Sequence, residues 1–136
     1  MSDIQGIAHF SSPVSDIDKS VAFYTEVVGC KHLFTPPKRH LSFIDAGGMC
    51  LILVKQAHAI NPVLQESEGV HHSFAIAPDR FDAAVDRLRR HHVPIIGEED
   101  RQGGVVNGPR IYFRDPDGTV LEFINLTSYA NGHEDH

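Results

Sequence analysis

One order of elements runs through the chain twice, and this repeat constrains the fold more than any other feature. Alternating polarity predicts a strand over residues 5–14, with Asp16 placed to cap a helix. The apolar spacing Ile17, Val21, Tyr24, Val28 is helical, and Gly29 is placed to end that helix. Strands follow at 31–35, 40–46 and 49–55, the last two joined by the turn Asp45-Ala-Gly-Gly48, and a polar loop covers 56–68. The order then restarts with a strand over 70–77. Phe81, Val85 and Leu88 mark a helix over 79–92 that Pro94 stops. A short strand at 95–97, a Gly-rich loop over 98–108 and strands at 110–114 and 119–125 close the second copy, the last two around the turn Asp115-Pro-Asp-Gly118. Leu41-Ser-Phe-Ile-Asp-Ala-Gly-Gly48 matches Ile111-Tyr-Phe-Arg-Asp-Pro-Asp-Gly118 at an offset of 70 residues, whereas the first strands of the two copies need 62. The expected architecture is α+β: one domain over 1–128 built from two βαβββ modules, 4–56 and 69–127, with a flexible tail at 129–136.

Composition removes several function classes. Twelve Lys+Arg against 18 Asp+Glu give a net charge of −6, which lacks the basic stripe of a nucleic-acid binder. No apolar run reaches the roughly 20 residues of a membrane span, and Met1-Ser-Asp-Ile-Gln is not a signal peptide. Cys30 and Cys50 form no C-x-x-C pair, so the expected setting is a reducing cytoplasm. Ten histidines are a surplus for 136 residues.

Strand alternation sorts that surplus. With one helix per module, each sheet covers a helix with one face and must line a cavity or meet its twin with the other. Phe10 and Val14, Phe74 and Ile76, and Leu121 and Phe123 take the helix side. His9 and Ser11, His71 and Ser73, and Val120, Glu122 and Ile124 take the other. A carboxylate in mid-strand among apolar neighbours is costly to bury unless something positive neutralises it. Two imidazoles and Glu122 around a divalent cation meet that need and leave about half of an octahedral shell open. Taken singly, a strand histidine is more often a satisfied or exposed side chain than a ligand, and a lone glutamate is more often on the surface. His32, His58, His91, His92, His133 and His136 fall on helix ends, loops or the tail and are read as facing solvent.

The quoted segments also resemble a known family. His9-Phe-Ser-Ser-Pro-Val-Ser-Asp16, Ser20-Val-Ala-Phe-Tyr24 and Val28-Gly29 are similar to the opening pattern of the vicinal oxygen chelate superfamily. That group holds glyoxalase I, extradiol dioxygenases, fosfomycin-resistance thiol transferases and bleomycin-binding proteins. His71-His-Ser-Phe74 resembles the start of its second module, and Tyr112-Phe-Arg-Asp-Pro-Asp-Gly-Thr-Val-Leu-Glu-Phe123 resembles its closing signature. The resemblance implies two curled mixed sheets forming a metal-binding cup, with His9, His71 and Glu122 as ligands to one divalent ion (Fe, Mn, Zn or Ni). Ile52 stands where four-ligand relatives carry a further donor, which turns the expectation away from glyoxalase I.

The same resemblance gives Tyr112 a catalytic place as hydrogen-bond donor to a substrate oxyanion. Ser11, His40, Arg110 and Ile52 are its expected substrate-binding neighbours, with His40 aligned to Arg110 across the repeat and expected on the cavity face with Ser42. The expected activity is chelation of a small substrate through two neighbouring oxygens, leaning to extradiol-dioxygenase chemistry. A thiol transferase or glyoxalase-like lyase is the enzyme alternative, and a metal-independent, antibiotic-sequestering protein is the alternative of another class. The fosfomycin enzymes carry a potassium-binding loop, which the longer stretch Glu98–Gly108 does not reproduce. Family members of this length pair as homodimers, and the expected partners are small molecules, without nucleic acid or membrane.

Overall fold

The computed structural model describes residues 3–57 and 70–129. The chain divides into two compact units, residues 1–62 and 63–136. In the first unit β1 (His9–Val14) leads into α1 (Ile17–Ala22), whose last turn continues as a wider π-helical turn over Phe23–Val28. Asp16 caps the start of α1 by accepting from the Lys19 amide at 3.1 Å. Gly29 ends the helix in the left-handed region, φ 98°, where a side chain would be strained. The strands β2 (Lys31–Phe34), β3 (Leu41–Ala46) and β4 (Met49–Lys55) complete a sheet of order β1-β4-β3-β2, with β1 parallel to β4 and the other pairs antiparallel. Val14, Ile17, Tyr24, Val28, Ile44, Leu51 and Leu53 are buried on its helix side.

The second unit repeats the order. β5 (His71–Ala75) is followed by a 3₁₀ turn at Pro78–Arg80 and α2 (Phe81–Arg90), which buries Ala84, Val85 and Leu88. His92, φ 59°, turns the chain out of α2 before Pro94. β6 (Gly97–Arg101), β7 (Val106–Arg114) and β8 (Val120–Ile124) form a sheet of order β5-β8-β7-β6, again with the first pair parallel. Two mixed βαβββ sheets are the fold that the repeat implies. No helix among the described residues is long and apolar enough to cross a membrane.

Three local expectations need correction. The stretch 98–108 is not one loop: Gly97–Arg101 pairs with β7, which itself starts at Val106. β6 is an edge strand with exposed Glu98, Glu99, Asp100 and Arg101, so it is held by backbone pairing and carries no apolar alternation to read. Tyr129, expected in the tail, pairs as β9 (Ser128–Tyr129) with Val106 and Asn107; residues 130–136 lie outside the described residues, as do His58, His133 and His136. Thirdly, Ser42 is fully buried on the helix side, bonded to the Thr35 hydroxyl at 2.8 Å, and exposed His40 precedes β3 in the same strand phase.

The third correction has a definite cause. In β3–β4 the hairpin closes on Ala46↔Met49, placing Phe43 opposite Ile52. In β7–β8 it closes on Arg114↔Val120, placing Tyr112 opposite Glu122. The 70-residue offset aligns Ile52 with Glu122 but leaves Ser42 one residue out of step with Tyr112. A one-residue slip turns every side chain to the other face. Leu41 and Phe43, not His40 and Ser42, therefore occupy the places of Arg110 and Tyr112.

Candidate functional site

The helix-free face of the second sheet gathers most of the titratable residues singled out from the sequence. Registers Ser73↔Glu122, Tyr112↔Glu122 and Glu99↔Arg110 put His71, Ser73, Glu122, Tyr112, Arg110 and Glu99 on one side. His71 Nε2 stands 3.2 Å from Glu122 Oε1. The Tyr112 ring packs edge-on to the His71 ring at 5.8 Å between centroids.

Glu122 is only 3% exposed. Burial pushes its carboxyl above the ordinary carboxylate range, and the opposing pull of Arg110, His71 and the Ser73 hydroxyl does not cancel that push. The local protein charge is thus insufficient to hold the carboxylate at its ordinary acidity, which is the environment a cation would relieve. Two ligands on neighbouring octahedral vertices at about 2.1 Å from a metal lie about 3 Å apart. The His71–Glu122 separation fits such a pair, and both atoms are of the right kind.

Arg110 is 5% exposed and folds back on its own strand. Its guanidinium donates to the Gly108 carbonyl at 3.2 Å and the Val106 carbonyl at 2.8 Å, and lies 3.8 Å from Glu122 Oε2. Its positive charge faces Glu122, and two of its N–H groups are taken by backbone carbonyls. The fold there demands glycine at 108: φ is +127°, and a Cβ would stand 1.9 Å from the Asn125 carbonyl oxygen. Tyr112 is 8% exposed, and burial raises its phenol, with Glu122 and Glu99 adding to the effect.

His9 belongs to the first unit, exposed on the helix-free face of its own sheet. Registers His9↔Cys50 and Ser11↔Ile52 put Ser11, Cys50 and Ile52 beside it, and Phe43 lies opposite Ile52. This face carries His9 and Ser11 in an apolar surround. Among the described residues neither unit by itself gathers three His, Cys, Asp or Glu side chains around one point. A groove of about 710 Å³ in the second unit is lined by Phe81, Val85, Arg89 and Ile111 and also by Glu99 and Arg110, whereas His71, Tyr112 and Glu122 do not line it. It runs past α2 and shares Glu99 and Arg110 with the helix-free face. Glu99 is the site residue that the sequence does not single out, because it falls in the stretch 98–108 expected as loop, after the short strand expected at 95–97.

Residues 6–123 match the model of the Glyoxalase/Bleomycin resistance protein/Dioxygenase superfamily, and the chain belongs to that superfamily. It is 35% identical over 120 residues to a metallothiol transferase FosB of Lysinibacillus sphaericus, covering 88% of this chain and 82% of that protein. It is 31% identical over 120 residues to a glutathione transferase FosA of Serratia marcescens, covering 88% and 79%. Among solved structures, a mutant of the fosfomycin resistance protein FosX from Listeria monocytogenes, complexed with Mn(II) and 1S,2S-dihydroxypropylphosphonic acid, superposes with a TM-score of 0.68 at 22% identity. It covers 91% of this chain and 92% of that one, and supports the fold. The chain takes its place among the metal-dependent enzymes of the superfamily, and its curated relatives are thiol transferases by name.

Proposed function

We propose that this protein is a divalent-metal-dependent transferase that joins a small thiol to a small oxygen-bearing electrophile such as an epoxide. The 35% identity to a metallothiol transferase carries the choice of reaction. The dioxygenase preference drawn from a His-His-Glu set finds no support among the relatives and gives way to the thiol-transfer alternative. The pair His71–Glu122 supports the metal requirement, and we assign His9 as the third ligand, as the superfamily pattern implies. A divalent ion held there would act as a Lewis acid toward the electrophile's oxygen. In the reaction the thiolate sulfur attacks carbon, the carbon–oxygen bond breaks, and the oxygen takes up a proton. Tyr112 would hydrogen-bond the oxygen that gains charge. Ser11 and Ile52 would contact the substrate beside His9, and the apolar setting of Cys50, Ile52 and Phe43 suits an electrophile with a hydrophobic substituent. Arg110 is reassigned from substrate binding to holding Glu122.

The expected setting is the cytoplasm, with Cys30 and Cys50 as free thiols, and the expected assembly is a homodimer. The test is direct: metal-loaded protein is incubated with fosfomycin or a panel of apolar epoxides and with glutathione, bacillithiol or cysteine. Mass spectrometry should find the thiol adduct, and chelation should abolish it. Protein purified without chelator should carry about one metal per chain, lost in His9→Ala and Glu122→Ala. Adduct formation that survives chelation would overturn the proposal.

A further inference from the structure

We propose that Glu99 is a positioning residue that acts through Tyr112, an inference that rests on the thiol-transfer reading for its kinetic part alone. Besides the Arg110 guanidinium, which hydrogen-bonds the phenol, three contacts place the Tyr112 side chain. Its ring lies across Gly97 on the neighbouring strand, close enough that a Cβ there would touch Cδ2 at 3.4 Å. The His71 ring meets it edge-on at 77°. Its hydroxyl donates to Glu99 Oε1 at 3.4 Å.

Glu99 is in turn held. Arg101, two residues along the same edge strand, donates to both of its carboxylate oxygens at 3.2 and 3.4 Å. Strand alternation makes this chain of contacts. Glu99 and Arg101 share the face of Gly97, and the register Gly97↔Tyr112 puts Glu99 diagonally across from the phenol. The link from Arg101 to Glu99 to Tyr112 therefore runs from the exposed sheet edge to the face that bears His71 and Glu122.

The length of the last bond matters. At 3.4 Å it exceeds the usual range for O–H···O contacts, so it orients the phenol oxygen while competing weakly for its single proton. The hydroxyl can turn that proton toward an oxygen developing charge without moving the ring. A shorter bond would hold the proton on Glu99. Glu99 thus fixes the oxygen's place in advance, the kind of preorganisation that accelerates a step without touching the substrate.

The chain has three tyrosines, Tyr24, Tyr112 and Tyr129, so labelling tyrosine with carbon-13 at Cζ yields a countable spectrum. Tyr112→Phe assigns the resonance. Glu99→Ala should shift the Tyr112 signal and leave Tyr24 in place, and Glu99→Gln, which keeps an acceptor oxygen, should restore it. Arg101→Met should move the same signal in the same direction, which keeps the test alive if Glu99→Ala folds poorly. In the transferase assay Glu99→Ala should lower kcat about ten-fold with KM little changed, as loss of orientation does. The same substitution in a Tyr112→Phe background should cost nothing further. An unmoved Tyr112 resonance in Glu99→Ala, or an undiminished kcat loss in the Tyr112→Phe background, would overturn the proposal. Absence of thiol transfer in the wild type would overturn the proposed reaction instead, and the resonance measurement would still decide the role of Glu99.

Discussion

Arg110→Met should expose how much the buried pair with Glu122 governs the second unit. Both residues are at most 5% exposed, and the guanidinium Nη1 lies 3.8 Å from Glu122 Oε2. At an effective dielectric constant of about 20, that attraction is worth about 4 kcal/mol. The loss is capped, because a stranded carboxylate takes a proton. Moving a carboxyl with an ordinary value of 4.5 to its protonated form at neutral pH costs about 3 kcal/mol at 1.36 kcal/mol per pH unit. Two carbonyls, Val106 and Gly108, also lose their donor, worth about 1 kcal/mol where water reaches them. Because burial has already raised Glu122 in the wild type, part of that cost is present before the substitution, and Arg110→Met should destabilise metal-free protein by at most about 3–4 kcal/mol, a fall in Tm of up to about 10 °C.

The pH dependence identifies the cause. The folded-state pKa of Glu122 is already raised above 4.5 by burial, so its contribution favours the fold below about pH 4.5 and is lost as pH rises through the raised value. Removing Arg110 takes away the largest opposing influence and raises that value further. The deficit of Arg110→Met against wild type should be greatest near neutrality and shrink as pH falls toward the ordinary value. Thermal melts of chelated protein across that range measure it. Arg110→Met with Glu122→Gln should recover most of the loss, since no charge is left buried alone. A deficit independent of pH, or additive losses in the double variant, would refute the reasoning.

Other outcomes follow from the same contacts. Gly108→Ala should cost about 3 kcal/mol or more in chemical denaturation, since its Cβ would overlap the Asn125 carbonyl and φ is +127°; an unchanged midpoint would show that residue 108 does not approach the Asn125 backbone as described. Tyr112→Phe should lower kcat in the transferase assay on the order of a hundred-fold while leaving metal content intact, and loss of metal would make the residue structural instead. Because Arg110 places a fixed positive charge on the carbonyls of residues 106 and 108, replacing potassium by sodium should leave activity unchanged. Light scattering should give twice the chain mass for the homodimer, and a monomer mass would end that expectation.

How far the sequence could be read depends on where side-chain pattern, and where backbone alone, determines structure. β5 and β8 are legible because Phe74, Leu121 and Phe123 must meet α2, which forces His71 and Glu122 to the other side. Arg110 and Tyr112 follow by the same alternation, yet the role of Arg110 does not. Whether a guanidinium points outward or folds back on its own strand depends on the backbone angle at Gly108 and on carbonyls left to accept from it, neither of which leaves a periodic trace. β6 was illegible for a related reason, as an edge strand of charged residues is stabilised by its neighbour's backbone and needs no alternation. The error at His40 is more instructive. Matching the two hairpins by their similar Asp-x-x-Gly turns treats a turn motif as a ruler, but the first hairpin closes with one residue fewer between its paired strands relative to that alignment. Residue similarity persisted across the turn while the strand phase did not. In a duplicated β fold, faces must be assigned strand by strand from the core outward. By that rule the first unit offers Leu41 and Phe43 where the second offers Arg110 and Tyr112, and Ile52 where the second offers Glu122. The two halves have thus diverged to opposite chemistries on equivalent positions. His9 and Ser11 keep the polar character of their counterparts His71 and Ser73, and Asp45 opposite Cys50 stays charged like its counterpart Arg114, so the first face departs from the second chiefly at Leu41, Phe43 and Ile52.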